Sequence, residues 1–474
     1  MRCFFFGAAA RKSAYNRFII ALYQFKMPAI KARAPVRSTR AAVNCEPALG
    51  LILLILKPLH VPFPRRITEI PPMTFDFMAL RRDFPALEAD SVYLDSAATA
   101  LKPRAVLEAI QAYYTGHGAT VHRSQHAAAR RLTERFENAR RQTAALIGAD
   151  EHEIIWSKGA TESINLVAQS YLRPRLRPGD RILVSEAEHH ANLIPWLMVA
   201  EQCQAQVVRL PVDARGLPDL SRLPALLESR PRLLALGQMS NVTGGCPDLA
   251  QAIDQAHACG CAVMVDGAQG VVHHPLNVHA ADADFYAFSA HKLYGPCGLG
   301  VLYGKRALLE EMHAWQGGGK MLTHADFNGF TEQAVPHRFE AGTPNIAGVL
   351  GFAAALDWLA EIDRPAAERH CVALAQQAEA ALSLLPGFIS YRAPNSALLA
   401  FNVAGIHHSD LNTLIAEQGV ALRSGVHCAA PLMQALGVSG TLRAAFAPYN
   451  TPADVQALVQ AVGRAVSLLN EDPL

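Results

Sequence analysis

The chain has 474 residues, 51% hydrophobic and 18% charged, with a formal net charge of +2. These values exclude a disordered or fibrous protein and leave room for two or three domains around a large core. The charge is uneven: residues 1–72 hold twelve Lys/Arg against Glu46 and Glu69, leaving 31 basic and 39 acidic residues beyond them. The mildly acidic body argues against a nucleic-acid surface there. Nine cysteines, at positions 3, 45, 203, 246, 259, 261, 297, 371 and 428, are odd in number and follow no framework or zinc-ligand spacing. We expect a reducing, cytoplasmic setting, mostly structural free thiols and no metal.

The first 72 residues, including "AARKSAYNRFIIALYQFKMPAIKARAPVRSTRAAV", are basic, Ala-rich and acid-poor, the composition of an organelle transit peptide. The apolar run "ALGLILLIL" (48–56) is followed at once by Lys57-Pro58 and is too short to span a bilayer, so no membrane segment is expected. Met73 opens "MTFDFMALRRDFPAL", a natural beginning for a compact domain. The favoured reading of 1–72 is a mis-assigned start with little packed structure, ahead of a targeting segment.

From about 90 to 335, apolar β-branched runs alternate with helical periods. The predicted strands are "EIIWS" (153–157), "RILVSE" (181–186), "AQVVRLPV" (205–212), "RLLALGQMS" (232–240), "AVMVDGAQG" (262–270) and "ADFYAFSAHK" (283–292). Helical stretches such as "TESINLVAQSYL" and "DLAQAIDQAHACG" separate them, which predicts an α/β domain with a mainly parallel sheet. "LGVLYG" (299–304) follows the previous strand after a short turn and is expected to run antiparallel. "WQGGGKML" (315–322) and "RFEAGTPN" (338–345) read as loops, and "NIAGVLGFAAALDWLAEID" as a long helix. The tail alternates between "ALLAFNVAG", helix "HSDLNTLIAEQG", "VALRSG", "TLRAAFAPY" and helix "PADVQALVQAVGRAVSLL", an α+β pattern.

Open α/β sheets gather ligands at the carboxyl ends of their strands, and there the residues are unusual. Asp266 and Gln269 follow one strand, and Ser289, His291 and Lys292 end another. His189 and Asn241 follow two more, and "GAT", with Ala160 and Thr161, opens a helix. Each alone has an ordinary explanation: an N-cap aspartate, a solvated lysine, a core histidine, a capped helix start. Their convergence on one sheet edge describes a pocket for pyridoxal phosphate. A lysine can condense with the aldehyde, an aspartate can keep the ring nitrogen protonated, an imidazole can stack on the ring, and a helix N-terminus can take the phosphate.

The stretches "YLDSAATALKP", "GATESINLVAQ", "EHHANLIPW", "SNVTGG", "VDGAQG", "FSAHKLYGPCGLGVLYG", "EAGTPN", "RSGVHCAAP" and "LRAAFAPYNT" resemble the group II cysteine desulfurases of the class V aminotransferase family. The chain is similar in particular to the cysteine desulfurase/cysteine sulfinate desulfinase branch, from about Met73 to residue 470. The resemblance implies fold type I with a mainly parallel seven-stranded sheet. It divides the chain into an N-terminal segment (73–88), a large cofactor domain (89–340) and a small α+β domain (341–474). It implies a pyridoxal-phosphate homodimer that turns L-cysteine into alanine, leaves a persulfide on Cys428 for a small sulfur-acceptor protein, and also accepts cysteine sulfinate or selenocysteine. Lys292 would hold the cofactor, Asp266 pair with the ring nitrogen, His189 stack on the ring and Gln269 meet the phenolic oxygen. Ala160, Thr161, Ser289 and His291 would take the phosphate, with Thr343 reaching the phosphate in the partner's site. Arg443 and Asn241, with Arg423 as a weaker candidate, would hold the substrate carboxylate.

Two residues depart from the pattern. Ala160 stands where relatives usually place a hydroxyl, and Val426 stands where a polar residue is common. Two other readings remain: a class V aminotransferase, hydrolase or epimerase without sulfur transfer, and a cofactor-type scaffold serving as a binding partner.

Overall fold

The computed structural model describes residues 75–88, 92–116 and 119–471; the readings of the basic leader and of Met73 as a start lie outside them. The chain enters through helix Phe77–Arg81, capped by Asp76, whose Oδ1 accepts the Ala79 N–H at 2.9 Å. Phe77 stacks on His370 at 4.7 Å, and Arg81 donates to the Tyr449 carbonyl at 2.6 Å, so this segment is pinned to residues far along the chain. Strand β1 (Val92–Tyr93) and helices Arg104–Thr115 and Ala127–Ile147 follow. The last stops at Gly148, whose φ of 67° is a left-handed turn that glycine makes without a Cβ clash.

Seven strands then appear where the apolar runs predict them: β2 (Ile154–Ser157), β3 (Arg181–Ser185), β4 (Gln206–Leu210), β5 (Leu233–Gly237), β6 (Ala262–Asp266), β7 (Phe285–Ser289) and β8 (Gly300–Gly304). They form one sheet in the order β2-β8-β7-β6-β5-β3-β4. Only β8 runs antiparallel to its neighbours, as its short connection from β7 requires. Leu234, Leu236, Val263 and Val265 pack in a core with residues of helices Ala127–Ile147, Leu249–Ala258 and Ile346–Ala360. Leu233, Ala235, Met264 and Ala287 pack in another, with residues of helices Ala160–Leu166 and Ile194–Cys203. This period-two division is that of strands covered on both faces. The "TESINLVAQSYL" helix begins as α over Ala160–Leu166 and widens to π over Val167–Leu172.

A hairpin absent from the sequence reading comes next, β9 (Leu322–Asp326) and β10 (Gly329–Glu332). Helix Ile346–Ala360 is capped by Asn345, whose Oδ1 accepts from Gly348 at 2.9 Å, and helix Arg364–Leu382 by Asp363 in the same way at 3.0 Å. The tail supplies β11 (Phe388–Ser390), β12 (Leu398–Val403), β13 (Val420–Ala421), β14 (Arg423–Gly425), β15 (Thr441–Ala445) and closing helix Pro452–Glu471. β11-β12-β15-β14 is an antiparallel sheet, and β13 pairs in parallel with β1. A separate apolar core, with Leu374, Leu398, Phe401, Leu442 and Leu458, lies beneath the four-stranded sheet. Among the described residues no helix is long and apolar enough to cross a membrane.

Candidate active site

The ends of β3, β5, β6 and β7 open into a cavity of about 210 Å³. Asp266 ends β6, and Lys292 closes the turn Ala290–Lys292 after β7. The Asp266 Oδ1 accepts the Ala268 N–H at 2.9 Å; burial raises its pKa, opposed by the Lys292 charge. Burial pushes the Lys292 amine down to about 8, and Asp266 pulls the other way. Such an amine exchanges protons readily near neutral pH, as both a covalent anchor and a proton carrier require. The peptide before it is firmly held: the His291 carbonyl accepts Ala100 N–H at 3.1 Å, Lys102 Nζ at 2.9 Å and Thr99 Oγ1 at 3.3 Å. Burial, and then the Lys292 and Lys102 charges, bring the His291 ring down to about 4.

At the helix N-terminus, Ala160 N–H donates to Ser289 Oγ at 2.8 Å. The β8 backbone lies directly against this turn: a Cβ added at Gly300 would sit 2.3 Å from Gly159 Cα, so only glycine fits. His189 Nδ1 accepts the Ala191 N–H at 3.0 Å, leaving the ring hydrogen on Nε2. Burial, reinforced by the Lys292 charge, lowers this imidazole to about 4, so a neutral ring lines the cavity at physiological pH. Glu188 accepts from Gly237 N–H at 2.8 Å and Asn192 Nδ2 at 2.6 Å, and burial pushes its carboxyl up to about 8.

Arg443 stands on β15. Its guanidinium donates to the Asn241 carbonyl at 2.7 Å and to Asp95 Oδ1 at 3.1 Å, while Nε is buried with no partner among the described residues. Burial lowers its pKa to about 10 against the pull of Asp95. Arg423 faces Arg443 in register across β14 and β15, a repulsive pairing that Asp95 offsets, since its Oδ2 also lies 3.8 Å from Arg423. Two of the five guanidinium donors of Arg443 are thus taken and three remain, enough for a bidentate carboxylate.

Cys428 follows β14 in a turn where Gly425, His427 and Cys428 have φ of 115°, 51° and 54°. Consecutive non-glycine residues in this region are rare, and the surrounding hydrogen bonds hold them there. Asn241 Nδ2 donates to the His427 carbonyl at 2.8 Å, His190 N–H to the Cys428 carbonyl at 2.6 Å, and the His427 ring meets Thr441 Oγ1 at 2.9 Å. Burial drops the His427 imidazole to about 3, so this ring braces the turn as a neutral group.

Ala160, Thr161, His189, Asn241, Asp266, Gln269, Ser289, His291, Lys292, Arg423, Cys428 and Arg443 all line the one cavity. Thr343 does not; it is exposed. Gln269 donates to the Ala97 carbonyl at 2.7 Å, and the amide of Asn241 is engaged with the cysteine turn. The sequence alone gives no role to Asp95, Lys102 or Glu188, and marks His190 as the second of two adjacent histidines after β3. The first two lie inside "YLDSAATALKP" and Glu188 precedes His189, so the signal of these three was proximity to chosen residues. The donor set suits pyridoxal phosphate: a tunable lysine, a carboxylate at a strand end, a neutral imidazole, and a helix start beside a serine.

Over residues 92–458 the chain matches the model of the aminotransferase class-V family, and it belongs to that family. It is 61% identical over 396 residues to cysteine desulfurase CsdA of Escherichia coli K12, across 83% of this chain and 99% of that protein. It is 49% identical over 405 residues to a probable cysteine desulfurase of Vibrio cholerae, across 84% and 100%. The crystal structure of E. coli CsdA in an S-sulfonic acid form matches with a TM-score of 0.80 at 61% identity, over 83% and 99% of the two chains. An apo cysteine desulfurase from Thermococcus onnurineus matches at 0.79 with 32% identity, over 84% and 100%.

Proposed function

We propose that the chain is a pyridoxal-phosphate-dependent cysteine desulfurase that takes sulfur from L-cysteine, releases L-alanine and holds the sulfur as a persulfide on Cys428. The observation that carries this reading is that Cys428 lines the same cavity as Lys292, Asp266 and Arg443. Without a thiol there, the site has no nucleophile of its own to take the substrate sulfur as a persulfide.

The cofactor, when bound, supplies an electron sink next to the substrate Cα. Lys292 would hold it, Asp266 would keep its ring nitrogen protonated, and His189 and Gln269 would meet its ring and phenolic oxygen. Ala160, Thr161, Ser289 and His291 would receive its phosphate. Arg443 grips the substrate carboxylate with its free donors, supported by Asn241 and, from the cavity edge, Arg423. Lys292, an amine brought near neutrality, removes the Cα proton and gives one back to Cα before alanine leaves. The Cys428 thiolate attacks the substrate sulfur: an S–S bond forms, the Cβ–S bond breaks, and its electron pair stays on carbon, which takes a proton to become the methyl of alanine. Cysteine sulfinate and selenocysteine, with more labile leaving groups, depend less on Cys428.

The reading includes a small sulfur-acceptor protein, a cytoplasmic setting, and a homodimer in which the exposed Thr343 reaches the partner's phosphate. It also divides the chain into an N-terminal segment 73–88, a large domain 89–340 and a small domain 341–474. The test is to incubate the purified holoenzyme with L-cysteine and reductant. Alanine and sulfide are expected in equal amounts, and Cys428→Ala lowers both at least 100-fold. If neither product forms while the cofactor's visible absorbance is present, the protein is a class V enzyme of another kind.

A further inference from the structure

His190 touches the cysteine turn at two points, at Cys428 itself and two residues beyond it. Its main-chain N–H donates to the Cys428 carbonyl at 2.6 Å, and its ring Nε2 accepts the Ala430 N–H at 3.2 Å. His190 begins the turn His190–Asn192 beyond β3, directly after His189, and the two rings stand 6.4 Å apart. The cysteine turn comes from the other sheet, leaving β14 through Gly425, and its left-handed residues His427 and Cys428 would relax if their backbone groups were released. The His427 carbonyl is held separately by Asn241, and the Ala429 N–H by the Val426 carbonyl at 2.8 Å, which leaves the Cys428 carbonyl and the Ala430 N–H to His190.

We propose that His190 is the positioning residue for the Cys428 sulfur. Its N–H and ring nitrogen fix the turn at residues 428 and 430, so one dipeptide, His189-His190, sets both the ring lining the cofactor side and the height of the thiol above it. The ring contact is specific: Nε2 accepts a hydrogen bond, so the imidazole hydrogen lies on Nδ1. A side chain offering an acceptor at the same reach preserves the grip, whereas a short apolar one leaves only the main-chain contact. This role rests on the desulfurase reading, because only sulfur transfer requires the thiol at a defined height.

The experiment compares wild-type, His190→Ala and His190→Gln holoenzymes by two single-enzyme readouts. The first is the single-turnover rate of persulfide formation on Cys428 from L-cysteine, and the second is exchange of the L-alanine α-hydrogen in deuterium oxide. Exchange reports Lys292 and the cofactor without involving the thiol, so the ratio of the two rates isolates thiol placement. The ratio is expected to fall at least tenfold in His190→Ala, and to return to within threefold of wild type in His190→Gln, whose Oε1 replaces Nε2. An unchanged ratio in His190→Ala, or a loss that glutamine does not rescue, overturns the proposal and leaves the desulfurase reading intact. A wild-type holoenzyme that exchanges alanine but forms no persulfide overturns the desulfurase reading, and this role with it.

Discussion

Arg443→Lys keeps the positive charge at the cavity and removes only the geometry. The arginine has five donors; the Asn241 carbonyl at 2.7 Å and Asp95 at 3.1 Å take two, leaving three for a substrate carboxylate. An ammonium has three donors in all, so once the two protein contacts are made a single one remains, and one charge-assisted hydrogen bond to the substrate is lost. Such a bond is worth about 1.5–3 kcal/mol, which corresponds to a loss of about 10- to 150-fold in kcat/KM. The assay is steady-state alanine production from L-cysteine and from L-cysteine sulfinate, with visible absorbance recorded to show that the cofactor is still bound. Both substrates carry the same α-carboxylate, so both should lose kcat/KM by the same factor. A change of less than threefold, or a loss confined to L-cysteine, would show that Arg443 does not hold the carboxylate by its fork.

Two further predictions concern buried charge. Glu188 is raised to about 8 from an ordinary value near 4.5, so between those values the folded protein keeps a proton that the unfolded chain has lost. Its contribution to stability therefore declines as pH rises, by up to about 1.4 kcal/mol per unit. Glu188→Gln removes that decline, and urea unfolding at pH 5.5 and 7.5 should show its stability relative to wild type rising by about 2–3 kcal/mol; a flat difference refutes the assignment. Glu340 lies 2.6 Å from Arg140 and 3.1 Å from Lys320, all three nearly enclosed. Glu340→Ala strands Lys320 and leaves Arg140 with Glu137 as its one carboxylate, and should destabilise by about 3–5 kcal/mol, read as a lower denaturant midpoint, whereas a midpoint close to wild type means that water reaches the cluster.

Edge strand β4 is half-exposed and carries Arg209, with Val207-Val208 as its mark; the other six strands were legible because each is buried on both faces, so its apolar run is unbroken and its ends are marked by residues too polar for a core. Asp266 and Lys292 stood out for that reason. The hairpin β9–β10 was not legible: its residues are mostly exposed, no apolar alternation marks them, and Asn328-Gly329 was the lone turn signal. Helix Ala127–Ile147 was missed as well. It buries Arg140, whose partner Glu340 is 200 residues away, and local pattern does not reveal so distant a counter-ion. The same holds at the site, where nothing local singles out Asp95 and β15 brings Arg443 to it. Asn241 reads as a ligand-binding amide, and local sequence does not announce that its Nδ2 also donates to the turn that carries the thiol.

The contact between Asp95 and Arg443 joins residues 348 positions apart, and the parallel bridge from Asp95 to Ala445 ties the same two segments through the backbone. During synthesis, the aspartate leaves the ribosome long before the strand that carries its partner. Contacts of such long range form late, because the loop they close must first be ordered. The cavity thus gains its arginine wall only near the end of folding, after the last strand has docked. A nascent or truncated chain that has already built the lysine and aspartate end of the sheet still lacks the means to retain an amino acid there.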